Sequence, residues 1–139
     1  MSKESKNKAA VRRFYEEVIN KKNFAIIPEL IAPNYVFHMT PEIKGPEGVK
    51  NYFTTAFAAL PDYQEKVDYM VAEGDLVATF STATGTLKGK WGDTAPTGKK
   101  ATYQSANLCR LEGGKQVEVW GIVDQLTVYR QFGIPIPPG

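Results

Sequence analysis

Four long runs rich in β-branched and aromatic residues fill the second half of the chain: Gln64 to Ala72, Leu76 to Leu87, Lys99 to Leu111 and Lys115 to Val123. Only glycine-bearing connections separate them, namely Glu73-Gly74-Asp75, a longer Gly89 to Gly98 loop and Glu112-Gly113-Gly114. Strands joined so closely pair with their neighbours, and the result is a four-strand antiparallel meander. Ahead of it the apolar spacing is helical. Ala10, Val11, Phe14, Tyr15, Val18 and Ile19 mark an amphipathic helix over about Ser5 to Asn20. Asn23 is placed to cap a short second helix, Phe24 to Ile31, in which Pro28 argues for a kink or an early stop. Tyr35 to Met39 reads as a short strand. A third helix opens at Gly45-Pro46-Glu47-Gly48, carries Val49, Tyr52, Phe53, Ala56, Phe57 and Leu60 on its apolar face, and stops at Pro61-Asp62. Three helices followed by a meander make an α+β fold in which an antiparallel sheet curls around the helices. One domain over 1–139 is expected, with an ordered core of about 5–133 and a proline-rich tail from Ile134 to Gly139.

Composition narrows the function classes. Apolar residues make up 42% and charged residues 23%, and the net charge is only +2. That balance gives no footing for nucleic acid, and the lysines of Lys3 to Lys8 and Lys21 to Lys22 read as solvated faces. With one cysteine, Cys109, and one histidine, His38, neither a disulfide framework nor a zinc cluster is expected. The N-terminal residues lack the apolar core of a signal peptide, and no run is long enough to span a membrane, so the expected compartment is the cytoplasm.

One carboxylate stands apart. Asp124 ends an otherwise apolar strand, and alternation puts it on one face with Glu118, Trp120 and Ile122. A carboxylate held beside an indole away from water is costly when charged, which suits a general acid or base near neutral pH. An equally open reading makes Asp124 the N-cap of a helix begun by Gln125 and Leu126. If Gly113-Gly114 forms a two-residue turn, Asn107 opposes Trp120 and Tyr103 opposes Asp124, on one face with Ser105 and Ile122. That polar set between apolar walls has the make-up of a ligand pocket. A bulged three-residue turn would instead bring Thr102, Gln104 and Ala106 opposite the Trp120 face. His38 is either a hydrogen-bonded strand residue or a further polar contact. Trp91, in the long loop, is placed either to roof the pocket or to meet another subunit.

Gly45-Pro46-Glu47-Gly48, Leu60-Pro61-Asp62-Tyr63, Val71 through Val77, Ala95-Pro96-Thr97-Gly98-Lys99, and Trp120 through Asp124 to Gln131-Phe132-Gly133, taken in that order and spacing, resemble the SnoaL-like polyketide cyclase family. The resemblance implies the cone-shaped α+β barrel of nuclear transport factor 2 and its relatives. It also implies an intramolecular aldol closure in which the residue at the Asp124 position is the acid/base, with no cofactor or metal. Carried over, Trp120 and Ile122 would line the pocket, and Asn107, Tyr103 or Gln104 would donate to the enolate oxygen, with His38 as a further contact. The strand before Gly113 lacks the histidine expected of a polyketide enzyme, which sets the substrate apart more than the fold. Two other readings stand beside this one. One is hydrolysis or dehydration of the limonene epoxide hydrolase or scytalone dehydratase type; the other is a non-catalytic module that holds a small ligand or a partner chain. A homodimer or homotetramer is expected, because Val117, Val119 and Val123 would otherwise leave an apolar outer face in water.

Overall fold

Ser2 caps the first helix, α1 (Lys3–Arg13), by accepting from the Ser5 N–H at 3.1 Å in the computed structural model, which describes residues 1–138. The helix does not run regularly to Asn20. It widens into a π-helical segment over Phe14–Ile19 that turns Phe14, Tyr15, Val18 and Ile19 inward together. Such insertions re-aim side chains, and here they aim the Tyr15 hydroxyl into the interior. A 3₁₀ turn at Phe24–Ile26 leads into α2 (Ile27–Leu30), where Pro28 sits in the first turn and costs no hydrogen bond. Strands β1 (Ile31–Phe37) and β2 (Ile43–Lys44) follow, then α3 (Gly45–Ala59). The meander is β3 (Gln64–Glu73), β4 (Leu76–Thr86), β5 (Lys100–Glu112) and β6 (Lys115–Val123). A fourth helix, α4 (Gln125–Phe132), ends on Gly133 at a left-handed φ of 71°.

The six strands form one open sheet in the order β2-β1-β6-β5-β4-β3. The meander is antiparallel throughout, as its turns require. β1 then joins β6 in parallel, so the sheet is mixed. The chain can make that pairing because α3 and the meander separate the two strands in sequence. Val11, Phe14, Tyr15, Ile27, Ile31 and Tyr35 pack against Val77, Cys109, Leu111 and Val119 as the main core. A second cluster, Ala59, Leu60, Leu87, Ala101, Val128 and Phe132, seats α4 against β5 and the end of α3.

Glu112 pairs with Lys115 across Gly113-Gly114, as a two-residue turn demands. The register then slips. Arg110 pairs with Glu118 and Leu111 with Gln116, so Val117 is the extra residue of a β-bulge. Beyond it Asn107 lies opposite Gly121, Leu108 opposite Trp120 and Ala106 opposite Ile122. A one-residue slip exchanges the two faces of a strand. The expected pairing of Asn107 with Trp120 and of Tyr103 with Asp124 is therefore corrected: Trp120 and Ile122 lie on the outer face. Val117 and Val119, expected outside, are buried.

Candidate active site in the cone

Three polar residues that alternate along β5, Tyr103, Ser105 and Asn107, face the interior, opposite Ala83, Ser81 and Thr79 of β4. Glu65 on β3 lies opposite Ala83, so Glu65, Ala83 and Tyr103 form one row across three strands. Its carboxylate is buried, at 7% exposure, and is met by hydroxyls: Tyr63 donates to Oε1 at 2.6 Å, and Ser81 and Ser105 to Oε2 at 2.5 and 3.2 Å. The Asn20 side chain clamps the Glu65 backbone, donating to its carbonyl at 2.8 Å and accepting from its N–H at 2.7 Å. Deeper in, Asn107 donates to the Tyr15 hydroxyl at 3.1 Å, and that hydroxyl lies 3.0 Å from Thr79 Oγ1.

Tyr63 and Tyr103 also open into a cavity of about 490 Å³ between the sheet and α3. Tyr52, Phe53, Ala56 and Leu60 form its apolar side, the segment Met39 to Lys44 its rim, and Trp91 its far wall. Trp91 is held there edge-on against Phe132, ring centroids 5.8 Å apart. Of the two expectations for this residue, the structure shows the pocket wall. Burial pushes the Tyr103 phenol up to about 12. Burial also holds Tyr63 well above the ordinary phenol value, with the Glu65 charge adding to it. Both are neutral phenols through the physiological range.

The expected site residues divide between this interior and the outside. Tyr103 lines the cavity, and Asn107 lies deeper on the same inner face. Trp120 and Ile122 are on the outer face, 40% and 77% exposed, and Gln104 is exposed between inward-facing Tyr103 and Ser105. His38 stacks on Trp120 with centroids 5.3 Å apart, and its ring nitrogens meet Glu118 at 2.7 Å and Glu42 at 3.1 Å. None of these four lines the pocket: the Val117 bulge turns Trp120 and Ile122 outward, Gln104 alternates outward between Tyr103 and Ser105, and His38 stacks on the outer-face Trp120. Asp124 caps α4. Its carboxylate accepts from the Thr127 N–H at 3.3 Å and from the Thr127 hydroxyl at 2.7 Å, and it is exposed. Its own N–H is bonded to the carbonyl of outward-facing Gln104, and it does not line the cavity. Among the described residues no three His, Cys, Asp or Glu side chains are grouped to hold a metal ion.

Sequence reasoning missed Glu65 and Tyr63. Gln64-Glu65-Lys66 reads as the polar start of an edge strand. The available signal was spacing: Tyr63, Glu65 and Val67 alternate onto one face, and Val67 is apolar.

The model of the SnoaL-like polyketide cyclases matches residues 9–132. The chain belongs to that family. IdmH of Streptomyces antibioticus, a candidate polyketide cyclase, is 30% identical over 92% of this chain and 99% of its own, with a TM-score of 0.79. A candidate polyketide cyclase from Acidithiobacillus ferrooxidans is 29% identical over 96% and 98% of the two chains, at a TM-score of 0.82. A candidate SnoaL-like polyketide cyclase from Jannaschia sp. CCS1, 23% identical over 98% of each chain, shares the fold at a TM-score of 0.87. No curated protein matches the sequence. Membership gives the curved α+β cone its place among family structures and, at family level, a small-molecule-binding cyclase or isomerase. No helix of this member is long and apolar enough to cross a membrane.

Proposed function

We propose that the protein is a cofactor-independent cytoplasmic enzyme that binds a small, largely apolar carbonyl compound in the cone cavity. It removes a proton from carbon beside the carbonyl, as an aldol-type cyclase or an isomerase does. The observation that carries the reading is Tyr103: a neutral phenol at the wall of a cavity whose α3 side is largely apolar, with Glu42, Lys44 and Asn51 also among its lining. Loss of a proton from carbon puts negative charge on the carbonyl oxygen, and a fixed donor in a water-poor site stabilises that charge. The enolate then attacks a second carbonyl carbon, closing a ring, or takes a proton back at another carbon.

Asp124 is the proton acceptor in this reading. Its support is the family resemblance together with its place at the end of β6, where Thr127 holds the carboxylate in one orientation. The capping geometry favours a second reading, in which Asp124 only starts α4. Asparagine separates the two because it caps a helix as well as aspartate does but accepts no proton. In D₂O, α-proton exchange of 2-tetralone followed by NMR should be accelerated by the wild type. Asp124→Asn should slow it by about 10²-fold or more while hardly moving the thermal midpoint. Undiminished exchange in the variant would leave Asp124 a cap and nothing else. No acceleration by the wild type would leave a non-catalytic binding module.

The partner of the outer face is a second copy of the chain. Tyr69, Phe80, Ala106 and Ile122 form one row across β3 to β6, and Val71, Ala78, Leu108 and Trp120 form the next. Tyr69 is 72% and Val71 65% exposed. Two adjacent apolar rows on a sheet are self-complementary, and closing them in a homodimer leaves the cavity, on the opposite face, open.

A further inference from the structure

The Tyr63 hydroxyl has one proton, and it is spent on Glu65. Ser81 and Ser105 point their protons at the same carboxylate, and among the described residues no lysine, arginine or histidine forms an ion pair with it. Three hydroxyls thus donate to one buried carboxyl group, which keeps each of them turned inward. Asn20 holds the Glu65 backbone in place from both sides. The consequence reaches the cavity. Tyr63 offers a ligand only its lone pairs, while Tyr103, in the row next to it, offers a proton.

From this arrangement we infer that Glu65 is a positioning residue: through Tyr63 it fixes the direction of hydrogen bonding at the cavity wall, setting an acceptor beside a donor. The wall therefore selects compounds that carry a hydroxyl or enol O–H alongside the carbonyl oxygen, and discriminates against those with acceptors alone. This rests on the cavity being the ligand site. A site built to receive an O–H penalises its absence, because the acceptor behind it is then left unpaired away from water.

Calorimetric titration with two probes of one shape tests it: 2-naphthol, which brings an O–H, and 2-tetralone, which brings only an acceptor. In Glu65→Met the carboxylate is gone, Ser81 and Ser105 keep each other as partners at 2.9 Å, and the Tyr63 proton is released to the cavity. The ratio of naphthol to tetralone affinity should fall by about tenfold, through tighter tetralone binding, as one net hydrogen bond is gained. Tyr63→Phe removes the acceptor itself and leaves Glu65 its serines. It should weaken naphthol by about tenfold and leave tetralone unchanged, and it decides the matter alone if Glu65→Met does not fold. A packing role for Glu65 would shift both probes together. If both probes bind the wild type and neither variant changes their ratio, the inference falls and the cavity reading stands. If neither probe binds the wild type, the cavity reading fails and takes the inference with it.

Discussion

Single side chains decide where chemistry can occur in this cone. His38 shows how far a residue's surroundings depart from its sequence neighbourhood. Among Tyr35, Val36, Phe37 and Met39 it reads as a hydrogen-bonded strand residue or a pocket contact, and it bridges Glu118 on the outer face to Glu42 at the cavity rim. The hydrogen bond to Glu118 chiefly, and then the one to Glu42, raise its pKa above the ordinary 6.5. Glu118 is correspondingly held below the usual carboxylate range by His38 and then by Arg110. A raised histidine adds stability that is fully present below its unfolded value and is lost as pH rises through the folded one. Glu118 contributes in the opposite sense: its share is present above its unfolded value and lost as pH falls through the depressed one. The thermal midpoint should therefore drop as pH climbs through the His38 titration, above 6.5, and His38→Gln should abolish that step. NMR of the chain's one histidine reads the titration directly, and a pKa at or below 6.5 would contradict it. Of the site itself, Tyr103 and Asn107 were legible as inward polar residues. Glu65 was not, because its burial depends on Asn20, Tyr63, Ser81 and Ser105, each distant in sequence or read as ordinary strand and turn.

The elements were more legible than the residues they carry. Strand lengths, glycine turns and the proline that opens α3 are local signals, and the four meander strands and α3 match their expected bounds within a residue or two, whereas β1 starts four residues early and the two-residue β2 was not expected. The π-helical segment was not visible, since its buried residues keep the spacing of an ordinary amphipathic helix. Nor was the bulge at Val117. Lys115-Gln116-Val117-Glu118-Val119 contains neither glycine nor proline to mark it, and regular alternation reads straight through. That one residue decides which face of β6 meets water. It puts Ile122 and Trp120 in the exposed rows with Tyr69 and Val71, and the element-scale expectation follows. Ile122→Glu places a charge in the centre of the paired rows while leaving the inner face alone. Light scattering should return twice the 15.4 kDa chain mass for the wild type and a single chain for the variant. A monomeric wild type at micromolar concentration would contradict the sheet-to-sheet dimer.

At the scale of the molecule, the α+β cone follows from placing helices ahead of a meander long enough to curl around them, and the family match over residues 9–132 agrees with it. The parallel return of β1 onto β6 was not legible, because it pairs segments about 80 residues apart and no local pattern encodes it. That pairing brings the Met39 to Lys44 rim over the cavity that α3, Trp91 and Tyr103 enclose. The whole fold thus presents the Tyr103 phenol at the wall of the cavity, next to Tyr63, whose hydroxyl is bonded to the buried Glu65 carboxylate. The measurement that tests this most directly is the rate of 2-tetralone α-proton exchange in D₂O for the wild type beside Tyr103→Phe. Catalysed exchange that falls by about 10²-fold in the variant, with the fold intact by circular dichroism, is the expected result. Catalysed exchange that survives unchanged without the Tyr103 hydroxyl would contradict the account.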